Sequence, residues 1–410
     1  MDKSVAATTA KVSNHIYNDL AFVILSKLPL KSLFRFSCAS KSWSVLFQNP
    51  YFMDMFRRNF ISMDHSYYND TSIFLERIPP IDDNDDIPYG LYSLFGERFE
   101  NMVKIDWPNP YQVPFDFIIN SIASVNGFFC IEDSGRVGQN QGIERGRIVL
   151  WNPATDECKV VPISPLAYKS PRWNPYIEFY GFGYDQVSDD YKVIRHIYNC
   201  PGYFYEQELW EIYCLKSNCW RKLDLDMPTQ EVCCGGVGVQ VYTDGVCHWW
   251  NGNGHQSEIG GEAYLVSFDL NSETFVKTYI PSNMDYIRPA SVFGHLGMLN
   301  GSICWIARYG DTCTFHISIL GEVGIKESWI KLLIVGLLPC VQYPIGIGKK
   351  GDIFFWREDN ELVLFNLNTQ KIEELGVKEQ VECETNRITS GATMGRMASR
   401  ACVQTCRILA

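Results

Sequence analysis

The sequence has no long apolar run. Its longest, Leu332 to Val341, is ten residues and contains Pro339; a membrane-crossing helix needs roughly 20. It has no C-x-x-C pair despite 15 cysteines, so the paired knuckles of a structural zinc site are missing. Cys233 and Cys234 are adjacent, and Cys402 and Cys406 are four apart. An odd, scattered set of thiols is not a disulfide framework and reads as reduced cysteines, many of them in a core. The start, Met1 to Lys11, is small and polar with no apolar segment, so no secretory signal is read there. The expectation is a protein of the cytosol, the nucleus or both.

Catalytic motifs are missing as well. The seven histidines (His15, His65, His196, His248, His255, His295 and His316) form neither H-x-x-x-H nor H-E-x-x-H. There is no G-x-S-x-G elbow. Gly346-Ile-Gly-Lys-Lys-Gly351 lacks the phosphate-loop pattern and reads as a hairpin. The histidines therefore read as packed or surface side chains. No catalytic residue, cofactor or metal is expected.

What is present is ordinary globular material: 46% hydrophobic, 20% charged, and a high 14% aromatic. This excludes a mainly disordered chain. The net charge of −11 argues against nonspecific binding to nucleic acid or anionic membrane. The charge is uneven. Residues 1–60 hold eight Lys and Arg against three Asp, a surplus of five positive charges, and the remainder carries −16. The two parts face different partners on this reading.

The first sixty residues read as helices. Leu20, Ile24 and Leu28 recur at i, i+4 and i+8, widened by Val23 and Leu25. Pro29 stops that helix. A second segment carries Leu30, Leu33, Phe34 and Phe36, and a third carries Trp43, Leu46 and Phe47. Asn49-Pro50 breaks the chain again before an amphipathic turn or two from Tyr51 to Arg58. So small a segment with so wide an apolar stripe buries surface against a partner or the rest of the chain. Residues 61–90, with Pro79-Pro80 and Asp82-Asp83-Asn84-Asp85-Asp86, read as a linker.

From about residue 91 the texture turns to strands. Ser124-Val-Asn-Gly-Phe-Phe-Cys-Ile131, Val241-Tyr-Thr-Asp-Gly-Val-Cys-His-Trp249, Met298-Leu-Asn-Gly-Ser-Ile-Cys-Trp305 and Gly348-Lys-Lys-Gly-Asp-Ile-Phe-Phe-Trp356 look alike. Asn-Gly and Asp-Gly between apolar runs signal hairpins. With a looser copy at Gly183 to Val193, the turns step by 62, 56, 56 and 50 residues. Second hairpins follow, as at Leu150-Trp-Asn-Pro-Ala-Thr155 and Phe365-Asn-Leu-Asn-Thr369. Four strands per period of about 50 residues is the pattern of a β-propeller blade; a sandwich would not repeat so. Five units run from about 117 to 376, and 91–113 supplies part of a sixth. The pattern then stops, and 379–410 reads as an atypical tail, a poor closing strand and a candidate for disorder.

Trp249-Trp250 is unusual among the tryptophans. Neighbouring strand residues face opposite sides, so one of the pair is expected at the surface beside Asn251-Gly-Asn-Gly-His255. Trp250 and His255 are therefore the candidate substrate contacts.

Asp19, Ile24 to Pro29, Lys31 to Phe36, Cys38 and Lys41-Ser-Trp43 together resemble an F-box, with Asn49-Pro50-Tyr51-Phe52 as its usual exit. The repeats, through Asn126-Gly-Phe128, Phe182-Gly-Tyr-Asp185 and Asp190-Tyr-Lys-Val193, are similar to the plant F-box-associated, kelch-like domain. The resemblance implies a multi-domain chain: an F-box of three short helices over 14–60, a linker, and a propeller of about six kelch-like blades over 91–378. It implies a non-catalytic substrate receptor of a Skp–cullin–F-box ubiquitin ligase. Ile16, Leu20, Ile24, Leu28, Pro29, Leu33, Phe36 and Trp43 would dock the Skp adaptor and, through it, the cullin. The propeller would hold a protein substrate of unstated identity. The family's acidic adaptors suit the basic segment. Tyr17 and Asn18 depart from the family's proline and acidic residue, which implies weaker docking. The alternative is a stand-alone propeller binding module with no ligase role.

Overall fold

Asn49 and Pro50 do more than break the chain. The Asn49 side-chain oxygen accepts hydrogen bonds from the backbone N–H of Tyr51 and Phe52, at 3.0 and 3.2 Å. Asn49 is thus the N-cap of the following helix, and Pro50 occupies its first position, where no N–H is needed. In this computed structural model the helices are α1 (Asn18–Leu25), α2 (Leu30–Ala39) and α3 (Pro50–Ile61), with a 3-10 turn at Leu46–Gln48. The structure describes residues 18–39, 43, 45–61, 72–77, 90–95, 99, 101–105, 119–133, 147–153, 155–166, 176–199, 207–225, 227, 240–251, 263–281, 294–308, 314–336, 338, 341–348, 351–359, 361–378 and 406–409.

The chain divides into two units, Met1–Met63 and Asp64–Ala410. The core of the first holds Leu25, Leu30, Leu33, Leu46, Phe52, Met53, Phe56 and Phe60. Aromatic contacts knit it: Phe22 meets Phe52 edge-on at 5.5 Å, and Phe52 stacks with Phe56 at 6.2 Å. The Asn59 amide donates to the Ser26 hydroxyl at 2.7 Å, tying α3 to the end of α1.

The second unit is six four-stranded antiparallel sheets. Blade 1 contains β1 (Ser72–Arg77), β2 (Gly90–Phe95) and β3 (Asn101–Ile105). Blade 2 is β4 (Ile119–Val125), β5 (Phe128–Asp133), β6 (Arg147–Asn152) and β7 (Glu157–Val160). Blade 3 is β8 (Tyr176–Asp185), β9 (Asp190–Asn199), β10 (Gln207–Cys214) and β11 (Cys219–Leu223). Blade 4 is β12 (Val241–Thr243), β13 (Val246–Asn251), β14 (Tyr264–Asp269) and β15 (Thr274–Tyr279). Blade 5 is β16 (Gly294–Leu299), β17 (Ser302–Arg308), β18 (Phe315–Leu320) and β19 (Trp329–Val335). Blade 6 is β20 (Val341–Ile347), β21 (Ile353–Arg357), β22 (Glu361–Asn366) and β23 (Lys371–Lys378). The last strand, β24 (Cys406–Leu409), pairs with β1 and completes blade 1.

Two expectations are corrected here. Residues 61–90 are not wholly linker, because β1 lies among them. The tail 379–410 is not wholly atypical, because its end closes the ring. Strands β4, β8, β12, β16, β20 and β24 touch in that order and return to β4, so they are the inner strands. Uniting the first and last strands of the propeller in one blade removes the open edge it would otherwise expose.

The hairpins form as their turns dictate. Asn126-Gly127, Asp244-Gly245 and Asn300-Gly301 all have positive φ at both residues, the I′ geometry that matches strand twist. Each blade packs both faces on its neighbours, so central strands are buried throughout: β18 is buried at all six positions, whereas the outer β7 is exposed at all four. Apolar clusters join blade 2 to blade 3 through Phe182 and Leu150, and blade 6 to blade 1 through Phe354, Leu94 and Phe99.

Candidate functional site

In the first unit, α1 presents two faces. Phe22 and Leu25 turn inward. Leu20, Val23 and Ile24, at i, i+3 and i+4, are 54%, 40% and 50% exposed and form one apolar stripe. Phe36 on α2 is 40% exposed and meets the half-buried Trp43 edge-on at 5.7 Å. Leu28 is half-buried and Pro29 exposed, and Lys27 and Arg35 are exposed cations. Leu33 is different. At 0% exposure it has no surface to offer a partner and is a core residue, not a docking contact. Ile16 lies outside the described residues.

The propeller has two unlike ends. Antiparallel order sends alternate connections to opposite ends. One end carries short connections, such as 126–127, 186–189, 215–218 and 244–245, the longest of them 321–328. The strand ends at the other are joined by long segments, including 106–118, 134–146, 161–175, 224–240 and 280–293. Sequence variety without cost to the core is available at that end.

Trp250 is not the exposed contact expected. It stacks on Trp305 at 4.3 Å and 14°, while Trp249 packs toward blade 3 with Tyr180 and Trp210. Alternation does send the two tryptophans to opposite faces, but both faces of a blade are interior. His255 lies outside the described residues.

Polar arrangements among the described residues include three in blade 3. Lys192 on β9 is buried and donates to the Asp185 carboxylate at 2.8 Å and to the Leu270 carbonyl of blade 4 at 2.7 Å; Glu273 lies at 3.4 Å. Burial pushes the Asp185 carboxyl up, but hydrogen bonds from Lys192, Ser188 and Val187 outweigh it and bring it down to about 2. Arg195 donates to Glu211 at 2.6 Å, its guanidinium lying 3.8 Å over the Trp220 ring, and Ser164 donates to the same carboxylate. The third arrangement, which sequence reasoning missed, is Glu178, accepting from Tyr198 at 2.8 Å and Tyr180 at 3.2 Å. Burial raises its carboxyl, against the lowering effect of those hydroxyls. The buried imidazoles of His196 and His248 are each pushed down to about 3 by burial and are neutral at pH 7. Among the described residues no cluster of His, Cys, Asp and Glu is arranged to hold a metal ion, and no helix is long and apolar enough to cross a membrane.

Comparison with known proteins sets these features in a family. The F-box associated beta propeller domain profile matches residues 102–396, and the F-box domain profile matches 14–54. The chain belongs to the F-box associated beta propeller family. The F-box protein At1g52495 of Arabidopsis thaliana is 26% identical over 358 residues, covering 83% of this chain and 74% of the relative. The F-box protein ETP2 of the same plant is 25% identical over 386 residues, covering 90% and 87%. Among solved structures, an oligogalacturonate lyase in complex with manganese is similar over 70% of each chain at 12% identity and a TM-score of 0.37, a likeness from which no chemistry follows. An F-box joined to a propeller supports, in general terms, a substrate-receptor role in Skp–cullin–F-box ligases.

Proposed function

We infer that this F-box propeller protein is the substrate-recognition subunit of a Skp–cullin–F-box E3 ubiquitin ligase. The observation that carries the reading is the apolar stripe Leu20, Val23 and Ile24, left in water on a helix whose other side turns Phe22 and Leu25 inward. An exposed stripe of this kind fits a protein partner. Leu20, Ile24, Pro29 and Phe36 dock the Skp adaptor, with Leu28 and Trp43 behind them, and the adaptor brings the cullin. The loop-rich end of the propeller holds the protein substrate. No residue of this chain breaks or makes a bond in that scheme. The complex acts by raising the effective concentration of a substrate lysine at a ubiquitin-loaded enzyme, in cytosol or nucleus, without a cofactor in this subunit.

The test is co-purification of the full chain with a plant Skp adaptor. The expected result is a 1:1 complex that is lost when residues 1–63 are removed. A folded propeller that ignores the adaptor would instead identify a stand-alone binding module.

A further inference from the structure

The interface of blades 3 and 4 gathers several buried polar groups without hydrogen-bond partners. Strand register sets Glu178 opposite His196, His196 opposite Trp210, and Tyr198 opposite Glu208. All of them therefore lie on one face of blade 3. Glu178, Tyr198 and Glu208 lie within two residues of strand ends at the loop-rich end. The His196 ring, 1% exposed, stacks on Trp210 at 4.7 Å and on Tyr198 at 5.2 Å. Neither His196 nitrogen has a hydrogen-bond partner, nor do the indole nitrogens of Trp210 and Trp249 beside it. The His196 Nε2 points toward the half-exposed Glu208 carboxylate at 3.4 Å.

Glu178 is half-buried; among the described residues its partners are the two tyrosine hydroxyls, and no cation pairs with it there. A carboxylate so placed is costly to keep ionised, which is the direction its acidity takes. A cation arriving there would remove that cost. Aromatic rings on the same face add attraction for a guanidinium or ammonium. Native buried polar groups without partners call for an explanation such as a bound group.

We propose that this site, Glu178 and Glu208 flanking the His196–Trp210 stack, receives an arginine or lysine side chain of the bound protein substrate. The proposal rests on the receptor reading for its biological meaning. It narrows the substrate class to proteins that present a basic residue.

The experiment uses the full chain on an array of ten-residue peptides. Each has randomised neutral flanks around a central Arg, Lys, citrulline or norleucine. The expected result is a preference of about tenfold or more for Arg or Lys over citrulline. Glu178→Gln, which keeps one oxygen to accept from a tyrosine and turns an NH2 donor toward the other hydroxyl, abolishes the preference. Asp244→Asn, exposed at the opposite end, leaves it intact. Equal binding to citrulline, binding to no peptide, a preference that survives Glu178→Gln, or one lost equally in Asp244→Asn overturns the proposal. Adaptor capture by the same preparations is scored separately. Capture without the preference removes the site and leaves the receptor; the preference without capture removes the ligase role and leaves the site.

Discussion

Lys192 offers a quantitative test of how the blades are held together. Its ammonium, 6% exposed, links the Asp185 carboxylate of its own blade to the Leu270 carbonyl and Glu273 of the next. Arg221 reaches the same Glu273. Lys192→Met keeps the length of the side chain and removes the charge. Breaking one half of a buried pair costs about 3–5 kcal/mol. Asp185 keeps hydrogen bonds from the Ser188 hydroxyl and from the N–H of Val187 and Ser188, so the lower figure, about 3 kcal/mol, applies. For a unit of this size that lowers Tm by about 4 °C. Adding Asp185→Asn removes the stranded charge and recovers part of the loss. The pH dependence has a definite sign. Asp185 is held at about 2 when folded, so its stabilisation is present above the unfolded carboxyl's range and is lost as pH falls through about 2. The gap between wild type and Lys192→Met, measured by thermal melting, therefore narrows as pH falls below about 4. A single variant within about 1 °C of wild type at pH 7 would refute the reasoning.

Three further outcomes are expected. Leu33→Ala empties a fully buried site and destabilises the F-box unit by about 2–5 kcal/mol in denaturant titration; a negligible change would return Leu33 to the surface. Deleting residues 406–410 opens blade 1 along β1, and the protein melts earlier and associates on size-exclusion chromatography; an unchanged melt would show that the ring closes without β24. His196 and His248, each held at about 3 by burial, bind protons only on unfolding, so stability falls as pH drops below about 6.5; Gln at either position flattens that slope, and an identical slope would contradict their burial as neutral rings.

How much of this was legible in the sequence differs by scale. Local chemistry reads well. Asn126-Gly127 and its counterparts require positive φ, and they have it. The helical period of Leu20 and Ile24 reads correctly from the sequence, but Leu25, which widens the same stripe on paper, is buried while they are exposed. What failed was non-local. β24 is four residues long, and its partner β1 stands more than 300 residues earlier, at the start of the propeller, so nothing near Cys406 announces a strand. The same pairing hid β1 inside a stretch of proline and aspartate. Trp250 stacks on Trp305 rather than facing solvent, because alternation separates two faces of a blade and both are interior. Leu33 and Ile24 both sit on apolar stripes, and only the tertiary packing of the unit decides which one meets water. Glu178 and His196 come together by register, not by spacing. The Asp185 and Lys192 residues of the family motif were visible, but their link to Leu270 and Glu273 was not.

The central claim is that an F-box helix face recruits the adaptor. Calorimetric titration of a plant Skp adaptor into the full chain tests it most directly, with Leu20→Asp/Ile24→Asp as the comparison. The prediction is saturable 1:1 binding by the wild type and none by the double variant, whose circular dichroism is unchanged because both side chains already lie in water. Binding that survives the double variant, or a wild-type chain that does not bind at all, would contradict it.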